Sequence, residues 1–500
     1  MQIPTRGPKI FRQILSRLAE EGGGEIDREL PFAALLFTIL AASEVTLYES
    51  WKKLSGISHL PKFQKEAKEV VRQVEVLGYD PLTVMQKRAE KTKSKNYREF
   101  LLGYVSAVRS GGSIVNYLRS KLRSIFEVQS AAAVRSVERL GTIVEAYAVM
   151  LIVTLCSYIL FIVFSATSLI EPIKAVGMPG IPTWAVAPLV FIVNPMISVI
   201  FMAVAHVERK SNFIGLKKPY KIAVISTAAV CCFMALIFLA PPLQHLTSPE
   251  TLPLIVTACL LTISIPPAVI YREIAKINYA AENAMPSFLR DVTEARKTGL
   301  SPEKSIIHAT KRSGYGRFSE VLRLIRSQME WGVPLRKVFA NVKRKIQTWP
   351  VLVNFLILVE TIKTGGGSAI ALEILTEHSE KQKDVETNKR SMLRPYVILA
   401  FIWSVLIALT TTMVATTVYA LTQLPFPGVA VMPFQVVQEQ MILFSVGILF
   451  QCWLSGFFVG KVNEGTFAAG FKYSIMLVLT AHVSLELSRV ILSGVFGLVS

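Results

Sequence analysis

Groups able to do acid, base, nucleophilic or metal chemistry are sparse in this 500-residue chain, and their spacing assembles no reaction centre. The six histidines, His59, His206, His245, His308, His378 and His482, are scattered, with no HExxH pair that would set two imidazoles on one helix face around zinc. Cys156, Cys231, Cys232, Cys259 and Cys452 all lie in hydrophobic runs without a CxxC pair, which reads as small apolar packing and not as disulfides or a metal site. Only four aspartates occur, Asp27, Asp80, Asp291 and Asp384, and none lies in a long apolar run, so an intramembrane aspartyl pair is excluded. No GxSxG is present. The glycine-rich stretch Thr364–Ser368 lacks the lysine of a phosphate loop and lies between helices, not after a strand. No cofactor and no metal are expected, and the chain is read as a non-enzyme.

Two kinds of charged constellation remain. His482, Glu486 and Arg489 lie at i, i+4 and i+7 of an apolar run, so they share one helix face inside a membrane span. Ionisable groups at that depth are costly and face a bundle interior or a polar cavity. They read as a polar track or dimer contact, or else as a self-neutralised Glu486–Arg489 pair that locks the last helix in place. The second kind is basic: Arg290 with Arg296 and Lys297, Lys311 with Arg312, and Lys343, Arg344 and Lys345. These would dock an acidic partner or orient against lipid headgroups; ordinary solvated helix faces are the alternative. Glu360, Lys363 and Glu373 flank a break at Gly365, Gly366 and Gly367, which reads as a tight turn gathering those charges at one tip.

The elements that must carry these residues follow from hydropathy and charge. The chain is 52% hydrophobic with a mean hydropathy of +0.46, too apolar for a soluble protein of this length. Spans of bilayer length are predicted near 147–169, 183–206, 222–242, 251–271, 395–421, 440–460 and 473–497. The apolar run Pro31–Ala42 is too short to cross and is expected as a buried helix of a soluble bundle. Helices are predicted at 45–55, 61–77, 81–91, 95–109 and 113–145, and again at 286–298, 302–311, 317–331, 334–346, 349–363 and 368–394. No strand-like alternation of useful length occurs, so the fold class is all-α. Of 54 Lys and Arg, 52 fall on one side of the predicted spans, with Lys174 and Arg489 the exceptions. The positive-inside rule then places both charged blocks in the cytoplasm and the C-terminus outside a multi-pass cell-membrane protein. Gly22–Gly24 reads as a joint after a basic N-terminal helix around Lys9, Arg12 and Arg17, one that touches the membrane surface or is simply solvated.

The charged blocks are two copies of one unit. Leu30-Pro31 and Met285-Pro286 are 255 positions apart, as are Phe63 and Phe318, and Ser110–Ser113 and Gly365–Ser368. Gly78 pairs with Gly332, and Asp80-Pro81-Leu82 with Val333-Pro334-Leu335. Such spacing over more than 100 residues indicates duplication. The expected domains are a basic segment 1–29, a helical domain 30–146, four spans in 147–271, a second helical domain 272–394 and three spans in 395–500.

Met285–Asp291, Ala295–Ser301, Gly332-Val333-Pro334-Leu335 and the Glu360…Gly365-Gly366-Gly367 turn together resemble the F domain of type II secretion systems. The extra spans are similar to the archaeal branch, the membrane platforms of archaella and archaeal type IV pili. Glu44 stands where the second copy has Gly299, a departure from the pattern. The resemblance implies a non-enzymatic platform, with a cytoplasmic hexameric ATPase docked on its lobes and pilin or archaellin subunits as clients. A homodimer in contact with membrane lipid is also implied; nucleic acid is not a partner. The competing class is a transporter permease driven by a separate ATPase or an ion gradient. Against it, the duplication carries mainly soluble helices and not an inverted membrane repeat.

Overall fold

A computed structural model describes residues 21–57, 60–167, 187–209, 211–239, 251–365, 368–422 and 434–496. Residues 1–20, His59, Lys174, His245, Gly366 and Gly367 lie outside them, and with them most of the basic N-terminal segment and part of the glycine turn. Among the described residues there is no β-strand, and two compact units form, residues 1–133 with 276–386 and residues 134–275 with 387–500.

The first unit holds α1 (Glu21–Ala42), α2 (Leu47–Ser55), α3 (Pro61–Glu75), α4 (Pro81–Lys91), α5 (Lys95–Arg109) and the start of α6 (Ile114–Thr167). It also holds the end of α9 (Leu252–Lys297), then α10 (Pro302–Thr310), α11 (Ser319–Glu330), α12 (Leu335–Lys345), α13 (Trp349–Gly365) and the start of α14 (Ala369–Thr422). The boundaries follow local chemistry. Thr46, Asp80, Ser94 and Ser301 each accept a hydrogen bond from a first-turn backbone N–H, and Pro61, Pro81 and Pro302 open their helices without an N–H to lose. The Gly22–Gly24 run, expected as a joint, is instead the first turn of α1.

Both copies contribute to a single hydrophobic core. The Leu30–Ala42 length of α1 and most of α13 are apolar nearly all round, the pattern of a helix surrounded by protein. Phe32–Phe37 and Val351–Phe355 are almost wholly buried, and Phe32 meets Trp349 edge to face at 4.4 Å. Duplication is visible in detail. Thr38 and Thr293, 255 positions apart, are both buried, and each donates its hydroxyl to the carbonyl four residues back. Gly299 closes α9 at φ 91°, and Glu44, its counterpart, is the only non-glycine with positive φ among the described residues, at 58°.

The acids of α1 brace its neighbours. The buried Glu29 carboxylate accepts the backbone N–H groups of Lys62 and Phe63, at 3.1 and 3.0 Å, at the positive end of α3. Asp27 accepts the Ser94 hydroxyl at 2.5 Å. Glu29→Gln is expected to destabilise this unit by about 1–2 kcal/mol, because hydrogen bonds to a charged acceptor are replaced by weaker neutral ones. Urea denaturation followed by tryptophan emission checks this; an unmoved midpoint would rule out a bracing role.

The second unit contains the apolar lengths of α6, α9 and α14, together with a π-helical turn (Leu189–Val193), α7 (Asn194–Glu208), α8 (Lys217–Leu239), α15 (Phe434–Glu464) and α16 (Phe467–Phe496). Among the described residues seven helices are long and apolar enough to cross a membrane, matching the seven spans expected. Pro195 lies two positions past the π turn, whose i+5 bond runs from Asn194 N–H to Leu189 O. α9 continues through Pro266 and Pro267.

α15 and α16 form a hairpin of close backbone approach. A Cβ on Gly456 would overlap the Ser474 backbone, and one on Gly460 would overlap that of Gly470. The GxxxG spacing therefore serves an intramolecular contact, in which small residues let two apolar helices come together. The turn is tied down by Lys461, whose buried ammonium donates to Gly465 O at 2.8 Å, and by Arg209, which donates to Val462 O and Asn463 O. Deeper in the unit, Tyr147, Ser198, Gln451 and Ser455 share a hydrogen-bonded cluster across α6, α7 and α15. Next to it, α6, α14, α15 and Leu477 of α16 line a pocket of about 40 Å³, room for a few water molecules. At one point α6 and α14 meet at equivalent residues of the repeat: Tyr396 Oη closes on the bare Cα of Gly141, 255 positions earlier.

Candidate partner-docking site

The second copy presents its charged residues on the ends and outer faces of α9, α10, α12 and α14. These helices amphipathically bury Leu289, Val292, Ile306, Val338, Val342 and Leu375 and leave the intervening positions to solvent. The structure divides the basic residues into two groups. The first is neutralised within the unit. Arg290 pairs with Glu380, and Lys297 with Glu373 at 3.2 Å, both joining the end of α9 to the start of α14. Arg312 pairs with Asp291 and lies 3.7 Å from Glu294, while the Tyr315 hydroxyl also donates to Asp291. Arg296 turns back on its own chain to donate to Leu300 O at 2.8 Å. These cations hold the fold and have carboxylates or carbonyls of their own.

The second group stands open. Lys343, Arg344 and Lys345 are exposed on the last turn of α12, where positive charge complements the free carbonyls. Lys311 is exposed at the C-terminal cap of α10, and Lys363 near the end of α13. No ion pair joins any of these five to an acidic group among the described residues. Of the expected charged tip, Glu360 is half-buried, Glu373 is taken by Lys297, and Gly365 ends α13. The tip is therefore less concentrated than its sequence spacing implies.

Two features at the other end of α12 were not singled out in the sequence. Trp331 is 86% exposed, and Arg336 and Lys337 are exposed in the first turn of the helix. A tryptophan at a helix end before a glycine ordinarily reads as core, so no sequence signal marked it.

On the last span, Glu486 and Arg489 form an ion pair at 3.1 Å, and the His482 ring lies 3.2 Å from the Thr257 hydroxyl of α9. The structure thus brings Glu486 and Arg489 together and directs His482 to a neighbouring helix of the same unit. No group of three or more His, Cys, Asp or Glu side chains positioned to hold a metal ion occurs among the described residues.

These elements define a class: an all-α, polytopic membrane protein with two copies of a helical repeat, each running into an apolar helix. A family model described as "Type II secretion system (T2SS), protein F" matches residues 33–162 and 288–416, one match per copy and together more than half of the chain. The chain belongs to that family. Its members are non-catalytic membrane platform proteins of secretion and pilus systems, and they generally interact with secretion ATPases. The chain is similar to an uncharacterized protein of Methanocaldococcus jannaschii, 23% identical over 497 aligned residues that cover 93% of this chain and 80% of that protein. No solved structure matches it.

Proposed function

We propose that this chain is the cytoplasmic-membrane platform of an archaeal type IV pilus-like filament, an archaellum or a pilus. In this reading a cytoplasmic hexameric ATPase docks on the duplicated unit, and its hydrolysis is coupled to insertion of pilin or archaellin subunits into the fibre. Both charged blocks are cytoplasmic, the C-terminus is outside, and the platform works as a homodimer. The observation that carries the reading is the segregation of 52 of 54 Lys and Arg to one side of seven spans, joined to a duplicated unit of the protein F family. Similarity to an archaeal protein and the span count support the archaeal branch.

The unpaired cations Lys343, Arg344 and Lys345, with Lys311 and Lys363, are the docking residues of this reading; Arg290, Arg296, Lys297, Arg312, Glu360 and Glu373 shape the surface around them. Gly365, Gly366 and Gly367 are proposed as the hinge of this surface. The His482, Glu486 and Arg489 face is proposed to lock the last span.

Co-purification of the full chain in detergent with the secretion-type ATPase of the same organism tests the reading. Reversal of charge at Lys343, Arg344 and Lys345 is expected to weaken that association at least tenfold, most at low salt. Solute uptake by proteoliposomes that contain this chain and no pilin would overturn the platform reading in favour of a permease.

A further inference from the structure

We propose that Trp331, with Arg336 and Lys337 at the opening of α12, is the anchor of a docking surface for an acidic protein partner, and that the second copy alone carries it. The inference rests on the platform reading for the partner's identity, and on the geometry of α12 for its place.

α12 has the sequence Leu335-Arg336-Lys337-Val338-Phe339-Ala340-Asn341-Val342-Lys343-Arg344-Lys345. It carries five cations and no carboxylate. The three in the last turn help the helix. The two in the first turn oppose its dipole, since the N-terminal N–H groups already present positive charge. The same helix lacks a side-chain cap, because Pro334 stands at the capping position. Its counterpart in the first copy obeys the ordinary rules: α4 is capped by Asp80, has no cation in its first turn and keeps Arg88 and Lys91 for its last. Two departures from local stability at one helix start, absent from the equivalent helix, mark a surface kept for something outside the fold.

The adjoining turn differs between the copies in the same way. Of the exposed large apolar side chains in the first unit, most lie at two equivalent turns, Val76, Leu77 and Tyr79 before and after Gly78, and Trp331 before Gly332. In the first copy Lys87 covers the Tyr79 ring, its ammonium 4.0 Å from the centroid. In the second copy Trp331 is more exposed than any other large apolar residue described, and no cation among the described residues is placed over it. Neither Arg336 nor Lys337 forms an ion pair among the described residues. An exposed tryptophan and two exposed cations without ion pairs, gathered in the seven residues that open α12, are the composition of an interface hot spot awaiting an apolar notch with carboxylates at its rim.

An anionic lipid surface would attract the same charges but fits less well. Helices that lie on membranes insert an apolar face. The apolar face of α12, Val338, Phe339 and Val342, is already buried in the unit's own core, so Trp331 alone would be left to insert.

The test uses the full chain in nanodiscs of zwitterionic lipid. The probes are the purified secretion-type ATPase and, separately, phosphatidylglycerol vesicles. Trp331→Ala and the double change Arg336→Asp with Lys337→Asp are each expected to weaken ATPase binding at least tenfold with an unchanged melting temperature. Trp331→Phe should retain most of the affinity, and Leu77→Ala in the first copy should stay within about twofold of the parent. Equal ATPase binding by all variants overturns the proposal and leaves the platform reading standing. Loss of vesicle binding with ATPase binding intact overturns it in favour of a lipid contact. Absence of ATPase binding by the unaltered chain overturns the platform reading, and this proposal with it.

Discussion

Gly460→Val is expected to leave little folded protein in the membrane fraction, and to lower the stability of what remains by about 3 kcal/mol or more. Overpacking a core ordinarily costs about 1–3 kcal/mol, because side chains can turn aside. Here the first added carbon would overlap the backbone N and Cα of Gly470, which have no rotamer to change. The only relief is to part α15 from α16, and parting them loosens the turn that Lys461 and Arg209 hold through its carbonyls. Thermal melts in detergent read by fluorescence-detected gel filtration measure the effect. Gly112→Ala is the matched control, since its added carbon would come no nearer than 3.5 Å to Ala107 O. If the two variants melt alike, the close approach of the hairpin is not what holds it.

His378 should make the first unit acid-sensitive. Its ring lies between Phe32 and Phe126, at 5.4 and 4.5 Å, and neither ring nitrogen has a hydrogen-bond partner. Burial, reinforced by the like charge of Lys381, pushes the imidazole pKa down from 6.5 to about 3. The folded state therefore holds the ring neutral, while the unfolded chain takes up a proton below pH 6.5. Stability is full above pH 6.5 and falls as pH drops from 6.5 toward 3, by up to about 1.4 kcal/mol per pH unit from this group. His378→Leu removes the proton uptake, so its urea midpoint should decline less between pH 7 and 4.5 than that of the parent chain. Identical declines would assign the acid sensitivity to carboxylates instead.

Local chemistry made much of this architecture legible. Caps at Thr46, Asp80, Ser94 and Ser301, prolines at first turns and the period of apolar residues placed the short helices to within a residue or two, because each boundary is decided by neighbours in the chain. Hydropathy gave the seven spans for the same reason. What was not legible depends on residues far apart. Nothing near Phe32 announces Trp349, so the common core of the two copies has no local signal. Arg290, Lys297 and Arg312 looked like free basic clusters until Glu380, Glu373 and Asp291 were seen beside them. The triplet Lys343–Lys345 stayed open: it is exposed, and no ion pair joins it to a carboxylate among the described residues. The openness of Trp331 is likewise a property of packing, which residue type alone predicts in the opposite sense.

The meeting of Gly141 with Tyr396 sets a limit on symmetry. When two identical chains pair about a two-fold axis, whatever residue lies on that axis faces its own twin. Two tyrosines there would collide, and two glycines would leave a hole. A duplicated chain is free of that constraint: one copy supplies the ring and the other supplies the space for it. Val144 and Leu399, and Ala148 and Trp403, are likewise 255 positions apart, unequal in size, and all line the same pocket. Joining the copies in one polypeptide thus does more than keep them together. It allows the centre of the membrane unit to be asymmetric, so neither half can be exchanged for a second copy of the other.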